Sequence, residues 1–304
     1  MDCNLFAARV LWAWLEAGHS VLEVWTSRRI PPGFWRRDRR LGWVSQRWSL
    51  SAAVSRWRLT HRVVDRITDP EIATALARHG IHVVISVSFP LILPSPLLSR
   101  LSVPALNLHP ALLPAYRGPT PSAAMFLDQA VDQHGGVTLH RIVPEIDAGA
   151  VFGAVRVPLP ADRNPRRWEL DIARAAANLA VGTIPGVVAG KIEGKAQDES
   201  AASYKRTTAA DFTVTPAASG ARIEWLTTVV GRTRPVGIAI DGRPYEISRI
   251  VKRLGPPSGS RARIGWTTLD LDLADGRYRL RRRPVWEGRK QRWSTMLLRI
   301  LVRG

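Results

Sequence analysis

A single cysteine, Cys3, stands in 304 residues. One thiol excludes an intramolecular disulfide framework and a cysteine-rich zinc site, so no metal is expected, and a reducing cytoplasm suits the chain best. Long apolar runs are missing as well. No stretch of about 18 uncharged apolar residues occurs, so neither a spanning helix nor stable membrane insertion is expected. The run from Leu5 to Leu15 is short and carries Arg9, and it reads as a buried helix. The opening Met1-Asp2-Cys3-Asn4 lacks the basic stretch that begins a secretory signal. Acidic residues are scarce: 25 Asp and Glu face 44 Lys and Arg, a formal net charge of +19. Apolar residues, by contrast, are not scarce. At 45 % they match a globular protein and exclude disorder as the main state.

The positive charge is uneven. Residues 1–200 carry 23 basic and 17 acidic side chains, and residues 201–304 carry 21 and 8. A small domain with that surplus repels itself unless it meets a polyanion. Nucleic acid is the first candidate partner and an anionic membrane surface the second. A merely solvated, arginine-rich surface is the third reading.

The first 190 residues alternate helical and strand patterns. Leu5–Gly18 has helical periodicity. Ser20–Thr26 and His61–Val64 read as strands, and Asp69 can cap a helix running to His79. Ile81–Val87 is the β-branched run of a buried parallel strand. Ala105–His109, Gly136–Val143 and Ala150–Val157 are further strands. Ser122–Gln133 and Trp168–Ala189 are helices, the second interrupted by Pro185. This alternation indicates a doubly wound, mostly parallel Rossmann-like α/β sheet over residues 1–190. Such a domain normally opens on a core strand. Here a helix comes first, so the expectation is either a lost strand or a true start upstream of Met1. Residues 191–205 are polar and Gly-bearing and read as a linker. Residues 206–304 read as a smaller antiparallel β domain, resembling an open barrel, after a short helix at Ile223–Val230. Its strands are Val236–Ile240, Tyr245–Val251, Thr267–Leu273 and Arg277–Arg282, with turns at Asp241-Gly242 and Asp275-Gly276.

The chemistry concentrates in Leu106–Pro121, LNLHPALLPAYRGPTP. Asn107 and His109 flank Leu108 at a strand end, and period-two alternation points both the same way. Ligands of open α/β sheets bind at the carboxyl ends of the strands. Asp147, in the turn sequence Glu145-Ile146-Asp147-Ala148-Gly149, can return to the same edge. An amide, an imidazole and a carboxylate there suit acyl transfer to an amine. Asn107 can donate to a developing oxyanion. His109 can donate or shuttle a proton. Asp147 can orient or charge-stabilise the imidazole and accept a proton. On spacing alone an ordinary turn is the stronger reading, since an Asn-x-His beside a proline is usually one.

Asn107-Leu108-His109-Pro110, Leu112-Leu113-Pro114, Tyr116-Arg117-Gly118, Pro121, Gly136-Val137-Thr138-Leu139-His140 and Asp147-x-Gly149 occur in that order. The ordered set resembles the formyltransferases that use 10-formyltetrahydrofolate. Members of that family act on methionyl-tRNA, glycinamide ribonucleotide or sugar nucleotides. The resemblance runs from about Leu11 through the long helix and more weakly into the β domain. It implies that Asn107, His109 and Asp147 are the catalytic trio. It also implies that a reduced folate, with no metal, binds against Phe89, Leu91, Ile92, Leu93, Pro144 and Ile146. Arg117 and Gly118 would then face the acceptor. Ala111 and Ala148 stand where the family commonly has Ser and Thr; each loses a hydroxyl and keeps the backbone.

Thr26–Trp48 reads as a basic loop. Arg36, Arg37, Arg39 and Arg40 suit phosphates there, and the interleaved Phe34, Trp35, Trp43 and Trp48 suit unpaired bases. Methionyl-tRNA formyltransferases carry a basic loop here and a basic β domain behind it, so the resemblance implies transfer RNA, most of all methionyl-tRNA, as the acceptor, although this loop lacks their usual Gly- and Lys-rich sequence. An amino-sugar nucleotide or other small amine is the alternative within the enzyme class. A folate- or RNA-binding module without turnover is the alternative outside it. A membrane-surface patch or an oligomer contact competes for the arginines alone.

Overall fold

The computed structural model describes residues 3–27, 34–64, 67, 81–208, 210–232 and 235–283. The helix expected after Asp69 lies outside the described residues. The chain forms two compact units. One comprises Met1–Met125, Ala130–Leu159 and Arg167–Arg206, and the other Phe126–Gln129, Pro160–Arg166 and Thr207–Gly304.

The first unit begins with helix α1 (Cys3–Glu16), strand β1 (Glu23–Ser27), helices α2 (Phe34–Val44) and α3 (Leu50–Arg56), and strand β2 (Thr60–Val64). β1 and β2 pair in parallel. Strand β3 (Val84–Val87), short helix α4 (Ser95–Leu98) and strand β4 (Ala105–His109) follow. Then come helices α5 (Pro121–Asp128) and α6 (Val131–His134), strands β5 (Gly136–Arg141) and β6 (Val151–Arg156), and helix α7 (Pro165–Val188). The four-stranded sheet has the order β3-β4-β5-β6. β3 and β4 are parallel, while β4–β5 and β5–β6 are antiparallel. The sheet therefore turns antiparallel at the β6 end, where the short loop after β5 leaves no room for a crossover. β4 lies between two neighbours, and Ala105, Leu106, Leu108 and His109 are all buried. α7 buries a row of small residues, Ala173, Ala176, Ala177 and Ala180, and a side chain at Gly153 of β6 would meet Leu179 of α7.

The arginine-rich stretch expected as a loop is in fact the helix α2. Its one acid explains how. Asp38 is fully buried and accepts hydrogen bonds from Ser49 Oγ at 2.8 Å, Leu50 N at 2.7 Å and Ser51 N at 2.9 Å. The carboxylate thus satisfies free N–H groups in the first turn of α3 and ties α2 to it. The four arginines make this helix polar on average and so disguise it as a loop in the sequence. Likewise, the helix expected over Ser122–Gln133 is two helices, α5 and α6, broken at Gln129, whose φ is 58°.

The second unit is an antiparallel sheet built on helix α8 (Gly220–Thr228). Its strands are β7 (Thr213–Val214), β8 (Val236–Ile240), β9 (Arg243–Gly255), β10 (Arg263–Ile264), β11 (Thr268–Leu273) and β12 (Gly276–Arg282), in the order β10-β11-β12-β9-β8-β7. Only β7–β8 is parallel. Long β9 pairs with β8 and β12, and bulges against β12 bend it as an open barrel requires. Ile223, Leu226, Ile238, Leu269 and Leu280 form its fully buried core. The β8–β9 turn at Asp241-Gly242 has the two positive φ values expected, 50° and 73°. The β11–β12 turn differs: Asp275 has no positive φ, and its carboxylate accepts from Gly220 N at 2.8 Å in the first turn of α8. The chain is thus α/β with a smaller C-terminal antiparallel sheet, as expected. No described helix is long and apolar enough to cross a membrane.

Candidate active site

β4 ends on His109, so its last residues deliver Asn107 and His109 from the carboxyl edge of the sheet. The loop between β5 and β6 brings back Asp147. His109 Nδ1 lies 3.5 Å from Asp147 Oδ2, and Asn107 Nδ2 lies 3.4 Å from Asp147 Oδ1. The three residues singled out from sequence therefore meet. Two other features hold them. Gly118 N donates to Asp147 Oδ2 at 2.8 Å, and His109 Nε2 donates to the Tyr116 carbonyl at 2.9 Å. With Nε2 so engaged, Nδ1 is the nitrogen that faces the carboxylate.

A fourth group sits in the cluster. His140 on β5 is opposite Asn107 in the strand register, and it is buried. Its Nδ1 donates to the Arg141 carbonyl at 2.9 Å. Its Nε2 is 3.1 Å from Asn107 Nδ2 and 3.5 Å from Asp147 Oδ1. Bare, that nitrogen accepts from Asn107; protonated, it faces Asp147. In the sequence His140 stands only as the last residue of the Gly136–His140 motif, with no role attached. Counting residues on β5 against β4 is the signal that finds it, once the antiparallel pairing is known.

Electrostatics divide the groups. Burial pushes the Asp147 carboxyl up, but the His140 ring, the His109 charge and the Gly118 N–H outweigh it and lower the pKa to about 2. Burial pushes the His109 imidazolium down, with His140 assisting, against the opposing pull of Asp147 and the Tyr116 carbonyl. At neutral pH the cluster holds a carboxylate beside a neutral imidazole. The first is a fixed charge and the second a proton acceptor.

This depressed carboxyl makes an acid-stability prediction. A folded pKa below the unfolded 3.8 stabilises the native state above about pH 4. That contribution drains away as pH falls toward 2. The shift corresponds to about 2 kcal/mol. Urea midpoints of wild type and Asp147→Asn should converge between pH 5 and about pH 2. Parallel curves over that range would remove the carboxylate from the ledger.

The other candidate residues divide. Leu93 belongs to a core cluster with Val64, Ile67, Leu97 and Ala105, and Phe89 and Leu91 pack against it. Ile92 turns outward and is 69 % exposed, as Ile146 is at 43 %; Pro144 is exposed too. Arg36, Arg39 and Arg40 are exposed on α2, beside Trp43 at 86 %. The side chain of Arg37 lies outside what the structure describes. Arg117 is buried, and its guanidinium is engaged by Glu199 Oε1 at 2.7 Å and Gln197 Oε1 at 2.8 Å. Gly118 serves Asp147 directly. Its φ is 108°, and a Cβ there would stand 2.7 Å from the Tyr204 ring, so glycine meets both demands. No group of three or more potential metal ligands occurs among the described residues.

Asn107, His109 and Asp147 converge at a strand end of an α/β sheet, an arrangement with the donor, the base and the charge that acyl transfer to an amine uses. Residues 51–184 match the formyl transferase family model. The methionyl-tRNA formyltransferase of Chloroflexus aurantiacus is 32 % identical over 201 residues, 66 % of this chain and 62 % of the relative. That of Methylococcus capsulatus is 28 % identical over 302 residues, covering 95 % of this chain and 91 % of the relative. The chain spans from 34 % to 62 % of the length of the first curated relatives it matches. A solved sugar 3N-formyl transferase, WlaRD, crystallised with dTDP and 5-N-formyl-THF, superposes with a TM-score of 0.56. It is 15 % identical over 92 % of this chain and 94 % of its own, a likeness of fold.

Proposed function

We propose that the chain transfers a formyl group from 10-formyltetrahydrofolate to a primary amine, and that the amine is that of methionyl-tRNA. The observation that carries the formyl-transfer reading is the contact set of His109, Asn107 and Asp147 inside the stretch that matches the formyl transferase family model. A bound 10-formyltetrahydrofolate supplies the formyl carbon. The residues fit a flat, partly apolar carrier. Ile92 and Ile146 present exposed apolar surface, and no hydrogen bond with another described residue engages the backbone of Leu91, Ile92 or Leu93. Those groups are available to orient a pterin.

The residues divide the work as their environments dictate. Asn107 Nδ2 points at two partners, the weaker of them Asp147 Oδ1 at 3.4 Å, and that N–H can turn to an oxygen on which charge develops. Neutral His109 takes the proton that the attacking amine nitrogen must lose. It can return one to the nitrogen from which the formyl group departs, so the proton count balances. Asp147, with its low pKa, stabilises the imidazolium formed meanwhile. It is a poorer proton acceptor than His109.

Two observations favour tRNA as acceptor. The curated relatives described above are methionyl-tRNA formyltransferases. Arg36, Arg39 and Arg40 of α2 stand exposed, while their one acidic neighbour, Asp38, is buried and spent on α3. Such a reaction belongs in the cytoplasm, which the single cysteine also suits.

The test is incubation with 10-formyltetrahydrofolate and a panel of amines that includes charged methionyl-tRNA and an amino-sugar nucleotide. Formylmethionyl-tRNA is the expected product. Its formation should weaken with salt at a log–log slope of roughly −0.7 to −0.9 per phosphate contact. Replacing Arg36, Arg37, Arg39 and Arg40 by Ala should flatten that slope and raise the KM for tRNA without changing folate affinity. Formylation of the sugar nucleotide alone would transfer the proposal to that acceptor. Binding of folate or RNA without turnover would reduce the chain to a binding module.

A further inference from the structure

Residues 191–205 read as a linker in sequence, yet they are bonded to the first unit along their length. Lys195 and Val151 exchange two backbone hydrogen bonds, each 2.8 Å. Arg117 N donates to the Ser203 carbonyl at 2.8 Å, Lys205 N donates to the Arg117 carbonyl at 3.2 Å, and Tyr116 N donates to Ser203 Oγ at 2.9 Å. Between these ties lies Gln197.

Gln197 Nε2 donates to two carbonyls, those of Asp147 and Gly149, both at 2.8 Å. Its Oε1 accepts from Arg117 Nη2 at 2.8 Å and Nε at 3.2 Å. Arg117 is fixed in turn by both oxygens of Glu199, at 2.8 and 2.7 Å. The next residue along from Arg117 is Gly118, whose N–H holds the Asp147 carboxylate. Asp147 is thus gripped at both ends, at its carboxylate by Gly118 and at its carbonyl by Gln197.

The grip answers a local need. Asp147 has a φ of 54°, a left-handed conformation that costs a residue bearing a Cβ and persists where its surroundings over-determine it. Gly149 fixes the other side of the loop: a Cβ there would stand 2.0 Å from the Arg141 carbonyl. The chemistry of position 197 is also restrictive. Carbonyl oxygens only accept and a guanidinium only donates, so a side chain between them must offer a donor on one side and an acceptor on the other. A carboxamide does both. A carboxylate would set negative charge against two carbonyls, and an aliphatic chain would satisfy none of the three.

We propose that Gln197 is a positioning residue for formyl transfer, bridging Arg117 to the Asp147–Gly149 backbone so that the Asp147 carboxylate stays on His109. The proposal rests on the functional reading above for its reaction and on the geometry alone for its contacts. Gln197 touches no reacting atom; it acts through Asp147.

The experiment uses the full chain with Gln197→Leu and Gln197→Glu. Three quantities are read: the thermal midpoint, steady-state kinetics with the amine that wild type formylates, and the titration of His109 by NMR of 13C-labelled histidine, assigned with His109→Asn. In whichever variant retains the wild-type midpoint, kcat should fall about 10- to 100-fold, while KM values stay within about threefold. The His109 resonance should titrate at lower pH than in wild type, because the carboxylate that favours its charged form has withdrawn. General loosening lowers the midpoint and leaves the His109 titration of the folded fraction in place. An unchanged His109 titration in both variants overturns the proposal, with or without loss of activity. If wild type formylates no amine and His109 still shifts in the variants, positioning of Asp147 stands and the reaction reading falls.

Discussion

Formyl transfer by Asp147→Ala or His109→Ala is expected to fall by about 10³-fold or more, the upper part of the range for positioned acid–base groups. Asn107→Ala should fall by about 10²–10³, as for loss of one oxyanion donor. The three losses should not add, since the groups act as a unit: His109 Nδ1 and Asn107 Nδ2 converge on one carboxylate at 3.5 and 3.4 Å. His109→Ala also leaves the Tyr116 carbonyl without its 2.9 Å donor, so His109→Gln is the cleaner variant. Burial lowers the His109 pKa, so the wild-type rate should stay level through neutrality and decline only as pH falls through that lowered value. Single-turnover assays across pH read both effects. Wild-type rates in any of the three variants would end the assignment for that residue.

The largest loss of stability is expected at Trp168. Its side chain is fully buried at the start of α7, and its Nε1 donates to the Val157 carbonyl at 2.7 Å, just beyond β6. Truncation removes a large apolar volume and leaves a buried carbonyl short of a donor. Trp168→Ala should therefore cost about 3–5 kcal/mol, much of the roughly 5–15 kcal/mol that holds a typical domain folded. Trp168→Phe keeps most of the volume and isolates the hydrogen bond, about 1–3 kcal/mol. Denaturant unfolding measures both. A Trp168→Ala protein as stable as wild type would mean that α7 collapses onto β6 without a cavity.

Much of the site was legible before any fold was known. β4 was expected and found at Ala105–His109. Alternation then set Asn107 and His109 on one side, and the ordered motifs brought in Asp147. The helix α2 was not legible, since its four arginines make it polar on average and its anchor is a single buried Asp38. Arg117 was expected to face an acceptor on the strength of the resemblance. Its engagement by Gln197 and Glu199 depends on residues 80 and 82 positions away.

Local periodicity and turn chemistry thus determined the strands, the hairpin at Asp241-Gly242, the mixed architecture and the side of β4 that carries the polar pair. Each depends on interactions between residues a few positions apart, which a sequence displays directly. The tertiary structure decided what surrounds that pair: His140 through the antiparallel register, Gly118 as the donor to Asp147, and Gln197 as the bridge behind it. These contacts join residues 29 to 50 positions apart. Chain folding alone sets which donors and acceptors meet at such separations, because a hydrogen bond requires about 3 Å and sequence spacing carries no such distance.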